Sequence, residues 1–360
     1  MKERWTCEQA NEWYKKQGWR RGCNFIGSDC ANRLDMWQKY KSEEKLETAE
    51  RELALCQKIG FNTVRVWASF DTYYAEPDSY MEIFERYISL CDKYGQKVIV
   101  VLAHEEDLPR GEVFVPKPMG EQKYALGRHQ GRFPLTPEEQ AKTPYHYLEY
   151  PELHDKFIEM VRRTVRKYAK DERILCWNIL NEPGIKLGTR CMPIMRELFA
   201  VVRAEDPIQP LCADIWNVPK DGHLANEIEQ LSFDLSDIIS LHSYQPYETL
   251  ITEIAFHKKS GRPIILTEWL LRIQNSNVFE IYPLLWMENI GNCCWGFVVG
   301  KTQTNEPWSN MWDEWDNGEG RHYDFTKWMH DLFRPNLRPY DPREIELIEK
   351  FNRLASEEGR

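Results

Sequence analysis

Two glutamates stand at the ends of apolar runs. Glu182 lies near the close of Ile174-Leu175-Cys176-Trp177-Asn178-Ile179-Leu180-Asn181-Glu182-Pro183-Gly184, and Glu268 follows Pro263-Ile264-Ile265-Leu266-Thr267. An unpaired carboxylate beside buried apolar residues is costly. Such a group tends to keep its proton, which suits it to give that proton to a leaving oxygen. Two carboxyl groups facing each other across one cleft can divide the chemistry of a glycosidic bond. One protonates the leaving oxygen, and the other attacks the anomeric carbon or activates water.

Other polar and aromatic residues gather at the ends of similar runs. Arg65 and Trp67 lie in one, His104-Glu105 close the next, His242-Ser243-Tyr244 close another, and Trp295 lies in the last. Taken singly, each has a plain structural reading. Arg65 then pairs with a buried acid, His242 is a satisfied core histidine, and Tyr244 and Trp295 are packing. Only the glutamates resist that reading on their own.

The elements that must position these residues alternate. β-Branched and apolar runs predict strands at 23–27, 62–68, 97–103, around Trp177, 211–214, 238–242, 263–267 and 293–299. The third run is apolar on both faces, as a parallel strand covered on both sides requires. Helical spacing predicts helices at 7–19, 42–59, 78–94, 152–168, 191–205, 247–259, 278–289, 325–333 and 342–354, the first capping one end of the fold. Eight strands alternating with helices predict a parallel sheet closed into a (β/α)8 TIM barrel, an α/β fold, spanning 1–360 as one domain. An open doubly wound sheet is the alternative, weakened because no Gly-x-Gly-x-x-Gly follows the first strand. Long stretches at 104–150 and 301–323 follow strands three and eight. In a barrel both fall on the face where catalytic residues sit. Trp308, Trp312 and Trp315 in the second can stack on sugars.

In register with these strands, the chain resembles clan A glycoside hydrolases, family 5 in particular. The resemblance runs over about residues 22–300. It rests on Asn181-Glu182-Pro183 after strand four, Leu266-Thr267-Glu268-Trp269 at strand seven, Arg65 on strand two, His242-x-Tyr244 at strand six, Trp295 at strand eight and His104 near the end of strand three. It implies a retaining double displacement, with Glu268 as nucleophile and Glu182 as acid/base. It further implies that Arg65 and Tyr244 hold Glu268 ionised and aimed, that Asn181 binds the sugar 2-hydroxyl, and that Trp295 floors the reacting sugar. Trp67, His104, His242 and Trp308 complete the expected substrate-binding set. A retaining pair stands about 5–5.5 Å apart. No metal or organic cofactor is required.

Composition bounds the partners. The 360 residues carry a net charge of −10 with acids and bases interspersed, which argues against nucleic acid or an anionic membrane. No apolar run reaches the roughly 18 residues of a membrane span. The ten cysteines form no Cys-x-x-Cys pair, and several lie in strand-like runs, so they read as small buried hydrophobes in a reducing compartment. The N-terminus shows no signal-peptide core, which points to a cytoplasmic protein, although a trimmed secreted form looks the same. Two rivals remain at this stage: a metal-dependent barrel hydrolase using His104, Glu105 and His242, and a carbohydrate-binding barrel without catalysis. The expected substrate is a plant-type β-linked oligo- or polysaccharide. The two long stretches favour a blind pocket and exo-action on oligosaccharides over an endo-acting glucanase, mannanase or xylanase. Sugar, linkage and oligomeric state are not legible.

Overall fold

Runs such as Thr63-Val64-Arg65-Val66-Trp67 and Ile264-Ile265-Leu266-Thr267-Glu268 are buried along their whole length, because helices cover one face and the barrel interior the other. The computed structural model describes residues 3–105, 119–133 and 151–359. Among them, nine short parallel strands form one sheet. They are β1 (Arg21–Asn24), β2 (Thr63–Trp67), β3 (Lys97–Val101), β4 (Ile174–Asn178), β5 (Leu211–Cys212), β6 (Asp214–Ile215), β7 (Ile239–His242), β8 (Ile264–Glu268) and β9 (Gly291–Cys294). Their order is β5-β4-β3-β2-β1-β9-β8-β7-β6. β5 and β6 are the two halves of the expected fifth strand, parted only by Ala213. One half pairs with β4 and the other with β7, so the split brings the two ends of the sheet together. The result is a (β/α)8 barrel.

Two strands are displaced from their expected bounds. β1 begins at Arg21, where Gly22 lets it close on β2: a Cβ on Gly22 would lie 1.6 Å from the Thr63 carbonyl oxygen. β9 ends at Cys294, because Gly296 turns the chain at φ 76°. Trp295 therefore sits just past the strand.

The expected helices at 42–59, 78–94, 152–168, 191–205, 247–259, 278–289 and 342–354 are present with small shifts. The first helix, Cys7–Gln17, is fixed at its start by a capping box between Thr6 and Gln9. Its Ala10 and Tyr14 pack on Ile99, Cys176, Cys212, Ile265 and Cys293, and so plug the end of the barrel away from the glutamates. Nine of the ten cysteines are buried and all are free thiols.

The helix expected at 325–333 is absent. That stretch is held as turns: Arg272 takes the carbonyls of His330 and Asp331, Met329 N–H donates to Asn305, and Asp331 lies at φ 60°. Among the described residues, four shorter α-helices lie outside the expected set: Arg33–Trp37, Phe70–Ala75, Glu227–Leu235 and Ser309–Asp316. The last falls inside the stretch read as a loop at 301–323. Of the stretch at 104–150, residues 106–118 and 134–150 lie outside the described residues. No helix among the described residues is long and apolar enough to cross a membrane.

Candidate active site

The barrel interior changes character along its axis. Above the apolar layer that Tyr14 plugs lies a sealed polar layer centred on Arg65. Its guanidinium is fully buried and donates to Glu268 Oε1 (2.6 Å), Asn181 Oδ1 (2.8 Å), Asp214 Oδ2 (2.9 Å) and Asn24 Oδ1 (3.0 Å). Asp214 Oδ1 accepts from Asn178 Nδ2 and Ser240 Oγ, both at 2.6 Å. Ser240 also bonds Thr267. A guanidinium in such a place must be matched by acids, since a lone buried charge is strongly disfavoured. Asp214 and Glu268 supply the match.

Glu268 ends β8, and its other oxygen accepts from the Tyr244 hydroxyl at 2.8 Å. Burial pushes the Glu268 carboxyl above its usual range. The nearby His242 and Arg65 charges pull it down, Glu182 adds to the rise, and the Tyr244 bond lowers it. Burial, with the charges of Glu268 and Glu182, holds the Tyr244 phenol far above its own usual value, so Tyr244 stays a donor.

Glu182 follows β4 in a left-handed backbone conformation, φ 42°. A non-glycine residue there is strained by about 1–2 kcal/mol. The turn beyond it is clamped by a buried carboxylate: Glu105 accepts backbone N–H bonds from Gly184 (2.7 Å), Lys186 (2.8 Å) and Leu187 (2.7 Å). Glu105 therefore positions the chain that carries Glu182, and both its oxygens are occupied. The carboxyl of Glu182 does not have the apolar surroundings its sequence suggested. Its Oε1 contacts His242 Nδ1 at 2.9 Å, and its side chain is the more exposed of the pair, at 15% against 5% for Glu268. Desolvation thus falls on Glu268. One oxygen of Glu182 and one of Glu268 lie within 4.8 Å.

His242 stands among three carboxylates: Glu182, Asp214 (Nε2 to Oδ2, 3.3 Å) and Glu268 (3.6 Å). Burial alone would lower its pKa, but Asp214 and Glu268 outweigh burial and lift it to about 10. In turn His242 and Arg65 overcome burial at Asp214 and hold that acid well below the carboxylate range. His242 is therefore an imidazolium at neutral pH, with Nδ1–H donating to Glu182 and Nε2 in ion-pair range of Asp214. Glu182, His242 and Glu268 bring ligand-type atoms within 4.8 Å of one another, and here those atoms are engaged in the ion pairs just described. The trio expected for a metal hydrolase fares no better, because Glu105 is committed to backbone amides.

A stability measurement checks the charge on His242. The folded pKa of about 10 lies above the ordinary 6.5. The stabilisation from the charged ring is thus complete below pH ~6.5 and fades as pH rises through about 10. The unfolding free energy of wild type minus that of His242→Gln should shrink between pH 6 and pH 10. A difference that does not change with pH would mean a neutral ring.

The mouth opens into a cavity of about 530 Å³. Asn181, Glu182, His242, Tyr244, Glu268, Trp295 and Trp308 line it, as expected of them. Three expected contacts do not. Arg65 is sealed beneath the floor and reaches the cavity only through Glu268 and Asn181. Trp67 has the guanidiniums of both Arg33 (4.8 Å) and Arg65 (4.7 Å) over its ring and lines a side chamber of about 90 Å³. His104 lies behind Asn181, to which it is joined in a parallel bridge. Trp308 packs edge-on to Tyr244. Trp312 and Trp315 instead pack on Phe325.

Sequence reasoning missed Asp214, a lone acid at the break between two half-strands. It also missed Arg33, Gln130, Arg132, Trp216 and Glu253 in the cavity wall. One signal pointed at Trp216: Asn226 and Glu229 have the spacing of a helix start. Asn226 does cap that helix, while Glu229 accepts the backbone N–H groups of Trp216 and Asn217.

A parallel barrel with two carboxylates across its C-terminal mouth is an arrangement suited to glycoside hydrolysis. The chain belongs to the family Cellulase (glycosyl hydrolase family 5), whose profile matches residues 21–282. Membership makes it a retaining glycosyl hydrolase rather than a non-catalytic binding barrel. Among solved structures it is similar to an exo-β-1,4-mannosidase from Opitutaceae bacterium strain TAV5, with 13% identity and a TM-score of 0.60, covering 95% of this chain and 60% of that one. The chain thus spans less than two thirds of that protein's length. An endo-β-1,4-mannanase from Thermotoga petrophila matches at 13% identity and TM-score 0.56, covering 92% of this chain and 77% of the other. A family 5 mannosidase from Rhizomucor miehei matches at 14% and 0.55, covering 94% of each. No curated protein sequence matches the chain.

Proposed function

We propose that this enzyme removes single sugars from the non-reducing end of short β-linked oligosaccharides by double displacement, with β-1,4-mannosides the first substrates to try. Glu268 attacks the anomeric carbon while Glu182 gives its proton to the departing oxygen. Glu182 then takes a proton from water, which attacks the same carbon and frees Glu268. The short distance between the two carboxyl groups supports retention, since an inverting pair leaves about 6.5–9.5 Å for a water. Asn181 accepts from Arg65 through Oδ1, so its Nδ2 is the donor left for a sugar hydroxyl. Mannose as the sugar is supported by the names of the similar structures.

Exo-action rests on one observation. Segment 119–133 is tied across the mouth to the stretch after β9. Gln303 accepts from Gly127 N–H (2.6 Å) and donates to the Ala125 carbonyl (2.8 Å), and His129 Nδ1 bonds the Glu306 carbonyl (2.8 Å). Gln38 grips Gly120 through both its amide and its carbonyl. This bridge passes beyond Trp295, and Gln130 and Arg132 on it line the cavity. A wall on that side supports exo-action, because an endo-enzyme needs room there for the sugar chain to continue. A digest of β-1,4-mannan oligosaccharides should release monosaccharide from the first time point. Rapid viscosity loss of a soluble mannan, with mid-sized products before monosaccharide, would mean an endo-enzyme.

A further inference from the structure

Around the barrel Glu182 (after β4) and Glu268 (ending β8) stand on opposite sides, which leaves two arcs between them. One holds β9, β1, β2 and β3, with Trp295 and the bridge just described. The other holds β5, β6 and β7. A reacting sugar resting on Trp295 points its leaving group into the second arc. There the cavity is lined by Trp216, Val218, Ser243, Gln245 and Glu253, with Ile185 beside Glu182. Trp216 is half-buried, and its indole N–H donates to the Pro183 carbonyl (3.2 Å), so its ring is anchored to the turn that carries Glu182.

Glu253 is the anomaly of this arc. It lies on helix Tyr247–Lys258 and is 3% exposed, yet it lines the cavity. Its partner is the Ser243 hydroxyl, and burial lifts it to about 7. Glu229 behind it is also buried. One oxygen of Glu229 holds Trp216 and Asn217, while the other has no hydrogen-bond partner among the described residues. Neither glutamate has a salt-bridge partner among those residues. A buried carboxyl at a cavity wall with no cation beside it carries a desolvation cost for its ionised form, which its raised pKa reflects. A ligand presenting hydroxyl donors would repay it. A flat indole beside a carboxylate is the combination that meets the two faces of a sugar, with C–H groups on the ring and hydroxyls on the acceptor.

We propose that Trp216 and Glu253 form a leaving-group subsite for a second neutral sugar, and that Glu253 selects it by accepting hydrogen bonds from its hydroxyls. The inference rests on the glycosidase reading and adds the class of leaving group: a hexose, in preference to an alkyl or aryl group.

The test compares kcat/KM for a β-1,4-linked disaccharide with kcat/KM for the p-nitrophenyl glycoside of the same sugar. In Glu253→Leu, assayed at pH 8 where the wild-type carboxyl is mostly ionised, the ratio of disaccharide to aryl glycoside should fall about tenfold or more, since the acceptor is lost, with KM carrying most of the change. Thermal unfolding of the variant checks that it is folded. A second measurement avoids turnover: a crystal of Glu268→Gln soaked with the disaccharide should show the leaving sugar on Trp216, with a hydroxyl about 2.6–3.0 Å from Glu253. A ratio that stays level, or a leaving sugar bound away from Glu253, overturns the inference while the glycosidase reading stands. Wild-type enzyme that turns over neither substrate overturns the proposed exo-action on that sugar, and the inference with it.

Discussion

Glu268→Gln should lower kcat about 10⁴-fold or more on every glycoside the enzyme accepts, because no group is left to form the covalent intermediate. Substrate binding should persist, since the amide keeps the shape, its one carbonyl oxygen can still accept from Arg65, and its NH2 can donate to the Tyr244 hydroxyl oxygen. Truncation gives a sharper result. Glu268→Ala leaves a small space above the Arg65 guanidinium, which is then short of one of its two acids. Azide is an anion of suitable size for that space. It should attack the anomeric carbon from the face Glu268 used, while the aryl leaving group departs with a proton from Glu182. The product is a glycosyl azide of inverted configuration, whereas wild-type product retains the substrate's configuration. Proton NMR of both reactions reads the outcome. A Glu268→Gln enzyme keeping roughly a tenth of wild-type turnover would remove Glu268 from the role of nucleophile.

The barrel was legible because its strands are buried on both faces and read as unbroken apolar runs, as at Val98-Ile99-Val100-Val101. The glutamates were legible for the complementary reason: each breaks such a run at its end. What the pattern could not show is which polar residues meet. Arg65 has as its full partner Asp214, 149 positions away in a strand of two residues. Local periodicity carries no information about that pairing. The split of the fifth strand was hidden likewise, since Leu211 to Ile215 reads as one run and only the neighbours on either side divide it.

Exposure was the second blind spot. Glu182 looked like the poorly solvated carboxyl of the pair. In the folded chain the turn at Pro183 lifts it out, and His242 meets it with a positive charge, while Glu268 is drawn into the barrel. Spacing also misled at the tryptophans. Trp308, Trp312 and Trp315 look equivalent in sequence, but the helix Ser309–Asp316 begins between the first and the others. It leaves Trp308 in the cavity wall and turns the other two onto Phe325.

The second large effect is expected at Glu182, and it should depend on the leaving group. A hexose leaves as a poor alkoxide and needs a proton as the bond breaks, whereas p-nitrophenolate leaves with little help. Glu182→Gln should therefore cost about 10²–10⁴-fold on a disaccharide and much less in the first step on the aryl glycoside. For the aryl substrate the second step, where water must be deprotonated, becomes limiting, and a burst of nitrophenol should precede a slow steady state. The pH profile adds an independent sign. Activity on the disaccharide falls at high pH as the acid loses its proton, so this basic limb should vanish in Glu182→Gln. The two carboxyls share His242 and lie within 4.8 Å, so the limbs belong to the coupled site. His242 does not confuse the assignment below about pH 9, because its own titration lies near 10. If the basic limb of the disaccharide profile survives the substitution unchanged, a group other than Glu182 delivers the proton.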